Sequence, residues 1–247
     1  MSNMHGKRSH HFAARLALIA AAVLVMLHTS ASAADNAADN ATLLAKLHAP
    51  ETAVVAPWSG ATDRTLIMWT AKATPDPKQP DFGVEMVDFH LRVAQTSTGR
   101  VLQRQDQRRV FTSDAIHFDG VKFDMTDFVL ARNHPAFAVR IDYSHQGCDS
   151  MAQSDLRLYQ VVRGRLRQVY AQAAFDESQG TCDCSGAAES ENKLRVATST
   201  TNGQADLLRD WREIAHNEGM VGEECVDHPV QKTGSVPLHF DGGTYRE

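Results

Sequence analysis

The 247-residue chain is poor in aromatic residues, in cysteine and in long apolar runs. Aromatic side chains account for 7% of the residues, and only four cysteines are present. No residue type dominates, which excludes collagen-like and coiled-coil chains, and the 43% apolar content is enough to build a core. We therefore expect a globular protein of ordinary composition.

Common catalytic motifs are also missing. The sequence contains no Gly-x-Ser-x-Gly, no His-Glu-x-x-His and no glycine-rich phosphate loop. We therefore expect a protein that is not an enzyme and that works without a cofactor. An envelope hydrolase is the alternative, because a catalytic triad assembled from distant residues leaves no local motif.

The first 33 residues contain no acidic side chain. Lys7, Arg8 and Arg15 lead into an apolar run, 16–27, that is too short to span a bilayer comfortably. Small residues at 31–33 fit the requirement of signal peptidase. We expect residues 1–33 to be a cleaved signal peptide, with a membrane anchor as the alternative, and the mature chain to be periplasmic or secreted and not inserted in a membrane.

Removal of this leader makes the chain more acidic. The leader holds three of the 25 Lys and Arg and none of the 30 Asp and Glu, so the net charge changes from −5 to −8. An acidic chain is a poor partner for nucleic acid, whose binding depends on Lys and Arg. The charge suits a basic protein partner, although acidic surfaces also serve solubility alone.

The mature chain divides into a polar tether and one domain. Residues 34–41 form a low-complexity polar tract, and Pro50 and Pro57 interrupt the chain further on. We expect a flexible tether over 34–57, in which 42–48 can form a short helix. A single all-β domain is expected over 58–247.

Alternation of apolar and polar residues predicts antiparallel strands in that domain, most clearly at 87–93. Further strands are predicted at 65–73, 101–105, 137–143, 156–162, 166–171, 193–199, 206–214 and 236–240. Two glycine-turn hairpins, 91–105 and 156–170, are similar in sequence, which indicates either a duplication or shared hairpin chemistry. The expected fold is all-β, with antiparallel hairpins in a sandwich or a partial-propeller-like arrangement.

The cysteines are even in number in a chain that we expect to be exported, which favours two disulfides. Cys182 and Cys184 are too close in sequence to pair without strain. Each is therefore expected to pair with Cys148 or Cys225, and the sequence leaves both pairings open. Either pairing would hold the loop around 181–186 against neighbouring segments.

Two metal sites are alternatives. Cys182, Cys184, Cys225 and His228 offer three thiolates and an imidazole, a set that suits tetrahedral zinc. Asn202 and Asp206 match the end of a calcium loop, but the positions of the leading ligands are occupied by threonines. A glycine turn that enters a strand explains the 202–207 segment without a metal.

Three segments resemble a group of exported β-rich bacterial proteins: the hairpin 156–171, the turn 202–207 and the closing stretch 240–245. Similar arrangements occur in blade-like calcium-loop repeats and in periplasmic inhibitors of lysozyme-like hydrolases, including immunity proteins. The resemblance implies a binding module that inserts a Ser-Gly loop into a hydrolase cleft. Ser185 and Gly186, with Thr181 at the start of the same loop, are the candidate binding residues, and Ser59-Gly60 is a second Ser-Gly pair.

These observations together predict a periplasmic binding module. Its expected partner is a protein, and an inhibitor or immunity role against a peptidoglycan hydrolase fits the resemblance. The envelope hydrolase remains the alternative function.

Peptide mapping under non-reducing conditions tests the cysteine prediction. We expect Cys182 and Cys184 to be oxidised, one to Cys148 and the other to Cys225. Reduction should lower the melting temperature without release of a metal, since a bridge closing several tens of residues stabilises by about 3–4 kcal/mol. Four free thiols, or zinc in the purified protein, would contradict the prediction.

Overall fold

The computed structural model describes residues 39–74, 84–113, 116–131, 134–145, 150–178, 187–221 and 224–247. Contacts divide the chain into an N-terminal unit that ends at Glu51 and a β unit, Thr52–Glu247. Residues 1–33, the expected signal peptide, lie outside the described part. Within that part, no helix is long and apolar enough to cross a membrane.

The short helix α1 covers residues 39–47, so the predicted helix is confirmed with a start three residues earlier. Asp39 and Asn40 occupy its first turn, where short polar residues are favoured. His48 ends the helix in the left-handed region, with φ of 51°. The amide nitrogens of His48 and Ala49 bond the carbonyl oxygens of Ala45 and Leu44, the pattern of a Schellman cap.

The described residues of the β unit form twelve strands. They are β1 (Val54–Pro57), β2 (Arg64–Lys72), β3 (Glu85–Gln95), β4 (Val101–Ser113), β5 (His117–Ala131), β6 (His134–His145), β7 (Met151–Val162), β8 (Arg165–Ser178), β9 (Ala188–Thr201), β10 (Gln204–Val221), β11 (Glu224–Phe240) and β12 (Tyr245–Arg246). Strand β1 lies inside the segment predicted to be a tether. It pairs with β2, so the β structure begins at Val54, before the predicted domain start at 58.

The strands form two antiparallel sheets in sequence order. Strands β1 to β4 make a four-stranded sheet and β5 to β12 an eight-stranded sheet. Every pairing joins strands that are neighbours along the chain, and these pairings form without long crossovers. The all-β prediction is confirmed, and the sheets pack as in a sandwich.

Two-residue turns join several strands, as the glycine signals predict. Arg163 and Gly164 have φ of 52° and 73°, and Asn202 and Gly203 have φ of 52° and 77°. Positive φ at both central residues defines a type I′ turn, whose twist matches that of the flanking strands. Both predicted turns are therefore confirmed.

One core lies between the two sheets. Alternate residues of β3, including Phe89 and Leu91, are fully buried and belong to the same cluster as Phe137 and Tyr159 of the eight-stranded sheet. The Phe137 and Tyr159 rings stack with centroids 5.7 Å apart. Burial of a side chain such as Phe89 stabilises by about 1.5–3 kcal/mol, so this contact area fixes the four-stranded sheet in place.

A second core lies on the opposite face of β6 and β7. Each strand of the eight-stranded sheet contributes to it or packs against it, including Leu130 of β5, Leu158 of β7 and Leu207 of β10. Strand β5 also approaches β9 and β10. The eight-stranded sheet is therefore curled around its own core.

Strand β11 is an edge strand for most of its length. Strand β12 pairs only with His239 and Phe240. Pro229 and Pro237 lie in the rest of β11 and remove two backbone donors there. Proline on an edge discourages pairing with another chain, which explains how a 17-residue edge strand is tolerated.

Candidate functional site

The predicted binding loop connects β8 to β9. Thr181, Ser185 and Gly186 themselves lie outside the described residues. The strands on either side of the loop end in register, because Ser178 of β8 is paired with Ala188 of β9. The loop therefore leaves and re-enters the eight-stranded sheet at one end.

The described residues nearest to the cysteines lie at this same end. Register pairs His145 with Met151, Met151 with Ser178, Ser178 with Ala188, and Ala188 with Ala215 across successive strands. Cys148, Cys182 and Cys184 lie outside the described residues. The backbone of Cys225 pairs with Met220 in the β10–β11 hairpin. The disulfides and the zinc alternative both stay predictions.

The β10–β11 hairpin continues beyond its neighbour at this end. Strand β9 stops pairing with β10 at Ala188 and Ala215, whereas β10 and β11 stay paired to Val221 and Glu224. The extension, here called the ribbon, consists of 216–221 and 224–229. At about 3.4 Å per residue it reaches about 20 Å past the end of β9.

The ribbon is acidic. Of its twelve residues three are acidic and none is lysine or arginine; the acids are Glu218, Glu224 and Asp227. A side-chain contact joins Asp227 Oδ2 of β11 to His216 Nδ1 of β10 at 2.7 Å. The most extended part of the molecule's sheet therefore carries negative charge.

Asp206, one of the two residues proposed for calcium, is a buried carboxylate. Only 3% of its side chain is exposed, and its Oδ1 lies 3.2 Å from His239 Nδ1. Burial raises the pKa of this carboxyl, but the interactions with the hydroxyl groups of Ser199 and Thr201 and with the nearby His239 ring outweigh burial and hold the pKa below its usual range. Asp206 is thus kept charged in a buried position.

Asn202 is engaged by the fold in a different way. Its side-chain nitrogen donates to the carbonyl oxygen of Phe240 at 2.7 Å and ties the β9–β10 turn to the end of β11. Within the described residues, no three histidine, cysteine, aspartate or glutamate side chains converge to hold a metal. His228, the histidine of the zinc alternative, lies on β11 opposite Asn217.

Asp206 was a candidate ligand from the sequence, but its contact with His239 was not predicted. His239 is 53% exposed and reaches Asp206 from β11, far along the chain. Thr201 Oγ1 lies 3.3 Å from the same Nδ1 of His239. The local sequence does not predict this contact, because the contact depends on the register between β10 and β11.

A second polar cluster, on the four-stranded sheet, was not predicted from the sequence either. His90 and Arg92 of β3 both contact Asp106 Oδ1 of β4 at 2.7 Å. The His90 ring stacks on Trp69 with a centroid distance of 4.9 Å, and the Arg92 guanidinium lies 4.9 Å from the Trp69 ring centroid. Ion pairs and ring contacts join these four side chains to one another, as expected of a structural cluster on a sheet face.

Comparison of the chain with protein-family models, with curated proteins and with solved structures gave no match. The fold and the geometry of the described residues therefore carry the functional argument.

Replacement of Asp206 by Asn tests the buried carboxylate. We expect the free energy of unfolding at pH 7 to fall by about 1–3 kcal/mol, because charge-assisted hydrogen bonds are lost in a buried place. Since the folded pKa lies below the usual value of 3.8, the charged form stabilises the fold above that pH. The difference between wild type and variant should shrink as the pH falls below it. Urea unfolding at pH 7 and at pH 3 measures both effects.

Asp210→Asn is the matched control. Like Asp206, Asp210 is a carboxylate with hydrogen-bond donors around it. It accepts hydrogen bonds from Arg195 and Ser235, but its side chain is 37% exposed. We expect a loss below about 1 kcal/mol there. Equal losses for the two variants at pH 7 would contradict the assignment.

Proposed function

We propose that the protein is an exported, non-catalytic binding module that inhibits a cationic peptidoglycan hydrolase. The ribbon is the observation that carries the proposal. A two-stranded extension that projects past its neighbours is a shape that can enter a cleft.

Backbone pairing makes the ribbon suitable for this role. Six pairs, from His216↔Pro229 to Val221↔Glu224, hold it together beyond the last pair with β9. A segment that is ordered before binding loses little conformational entropy on association. The predicted loop that contains Ser185 leaves the sheet at the same end, so both elements can contact one partner.

Charge defines the class of partner. The acidic ribbon favours a cleft lined by lysine and arginine, and complementary charge raises the association rate more than the affinity. A hydrolase that acts on an anionic cell-wall polymer has reason to carry such a cleft. The acidic ribbon would then occupy the position of the polymer.

The enzyme alternative has one observation in its favour, the contact between Asp206 and His239. In a hydrolytic triad the carboxylate and the nucleophile use different nitrogens of the imidazole. Here Asp206 and Thr201 Oγ1 share Nδ1. This arrangement anchors a histidine ring and does not activate the threonine hydroxyl, so we favour the binding module.

Reversal of one charge tests the role of the ribbon. We expect Asp227→Lys to weaken inhibition of a cationic lysozyme-type muramidase by about tenfold at low salt, and the difference should narrow at high salt. Glu85→Lys is the control, since Glu85 is exposed on the four-stranded sheet and is also paired with a basic side chain, Lys72. Inhibition of peptidoglycan lysis and calorimetric affinity provide the readouts. Equal affinity for both variants, or lysis by the protein alone, would overturn the proposal.

The predicted loop is tested separately by Ser185→Tyr. We expect a bulky side chain at the tip of an inserted loop to reduce inhibition at least about tenfold. Ser59→Tyr serves as the comparison, with Gly60 left unchanged because a Cβ there would lie 2.5 Å from Pro135 Cβ and disturb the fold. Inhibition that survives Ser185→Tyr but not Ser59→Tyr would move the contact to the other Ser-Gly pair.

A further inference from the structure

An open groove lies where the start of β4 meets the start of β8. It has a volume of about 490 Å³, and its lining consists of Val101, Leu102, Gln103, Arg104, Arg165 and Leu166. A hydrogen bond joins the two strands beside it, because the backbone N–H of Leu166 donates to Gln103 Oε1 at 3.2 Å. Both sheets of the β unit therefore contribute to this groove.

The two similar hairpins of the sequence supply the groove. Each has a glycine followed by an arginine at its turn, Gly99-Arg100 in the first and Gly164-Arg165 in the second. Both glycines adopt positive φ, of 72° and 73° respectively. The structure brings the strands that follow these turns, β4 and β8, to one place.

The exposed arginines near the groove have no acidic partner. Within the described residues, six exposed arginines make no ion pair, and all six lie on β4, on β8 or in the turns before these strands: Arg100, Arg104, Arg108, Arg163, Arg165 and Arg167. Six other arginines each pair with a carboxylate: Arg92, Arg140, Arg195, Arg209, Arg212 and Arg246. The exposed arginines that the fold does not neutralise are thus gathered on two neighbouring strands.

The segments that build the groove contain no acidic residue. Residues 95–105 carry two arginines and residues 156–175 carry four, with no Asp or Glu in either segment. Asp106 and Asp63 approach β4 and the turn before it, but each is already held by side chains of β3 or of that turn. In a chain with a net charge of −5, the groove is therefore a local positive region that attracts anions.

We propose that this groove binds a segment of an anionic polysaccharide. Carboxylate, phosphate or sulfate groups along such a polymer would pair with Arg104 and Arg165, because the guanidinium group suits hydrogen bonding to these anions. Val101 and Leu102 offer aliphatic surface to the C–H groups of the sugar rings. The volume of the groove lies within the roughly 300–1,000 Å³ typical of small-molecule sites, which is room for a short segment of the polymer.

Two features of the groove favour a glycan over other polyanions. None of its described lining residues is aromatic, whereas proteins that hold single-stranded nucleic acid stack the bases on aromatic rings. An acidic peptide would add as a strand through backbone hydrogen bonds, but the backbone donor of Leu166 is already occupied by Gln103. A charged glycan requires neither stacking nor a free strand edge.

The groove is separate from the ribbon. Strand β8 begins beside the groove at Arg165 and ends at Ser178, which pairs with Ala188 at the end from which the ribbon extends. At about 3.3 Å per residue the two ends are roughly 40 Å apart along the strand. The test below contains no hydrolase, so the failure of either proposal leaves the other standing.

Fluorescence anisotropy of the purified protein at low salt compares labelled oligomers matched in their number of negative charges. A galacturonate oligomer and a heparin fragment are the anionic glycans, and a thymidine oligonucleotide and a glutamate peptide represent other polyanions. An uncharged maltose oligomer reports contacts that do not depend on charge. We expect at least one anionic glycan to bind at least about tenfold more tightly than the other three probes. Its affinity should fall as salt is added, because salt screens exposed charges.

Removal of two charges from the groove tests its role. Arg104→Gln combined with Arg165→Gln should weaken binding of that glycan at least about tenfold. The control, Lys193→Gln combined with Lys232→Gln, removes the same charge from exposed positions on β9 and β11 that do not line the groove. We expect less than about a twofold change there, because distant exposed charges are screened.

Arg100→Gln combined with Arg167→Gln provides a second measurement if the first groove variant fails to fold. Both positions are exposed and flank the lining residues, so binding should weaken several-fold while circular dichroism stays that of an all-β protein. Three results would overturn the proposal: no binding of either anionic glycan, equal or tighter binding of the oligonucleotide or the peptide, or wild-type affinity in a folded groove variant.

Discussion

Burial of both faces of β6 is the constraint on which the rest of the structure depends. Phe137, Val139 and Ile141 face the four-stranded sheet, while Ala136 and Ala138 face the second core. A strand that is apolar on both faces cannot lie at a solvent surface, so each face requires a covering layer. The four-stranded sheet covers one face and the curled second half of the eight-stranded sheet covers the other. Large side chains on one face and alanines on the other also set different packing distances for the two layers.

The sequence predicts those strands in which apolar and polar residues alternate without interruption. Strand β3 was found because Val87, Phe89, Leu91 and Val93 alternate with polar residues and belong to one core. Strand β5 was missed, since its register shifts at Phe118/Gly120, at Asp124/Phe128 and at Val129/Ala131. Each irregularity interrupts the two-residue period on which the prediction depends. The ends of β10 and β11 were missed for another reason, because apolar and polar residues do not alternate in the sequence of 216–221 and 224–229.

Functional side chains are harder to predict than strands because their partners are set by register. Trp211 meets Gly234, and Asp206 meets His239, only after β10 and β11 have paired. A one-residue shift would move every such side chain to the opposite face and remove both contacts. Composition and spacing could therefore nominate Asp206, but they could not supply its partner or identify the groove between β4 and β8. Glycine opposite tryptophan is a signal that can be recognised once the pairing is known.

Two surface features, a pocket beside β8 and the ribbon, arise where strand pairing stops. Strand β8 leaves β9 after four paired residues, and the space between them becomes the pocket. Strand β9 then leaves β10 at Ala188, and the hairpin beyond it becomes the ribbon. At each point the remaining strands stay paired with each other, β9 with β10 beside the pocket and β10 with β11 in the ribbon. The same long strand, β10, lines the pocket with Arg209 and Trp211 and extends into the ribbon after Ala215.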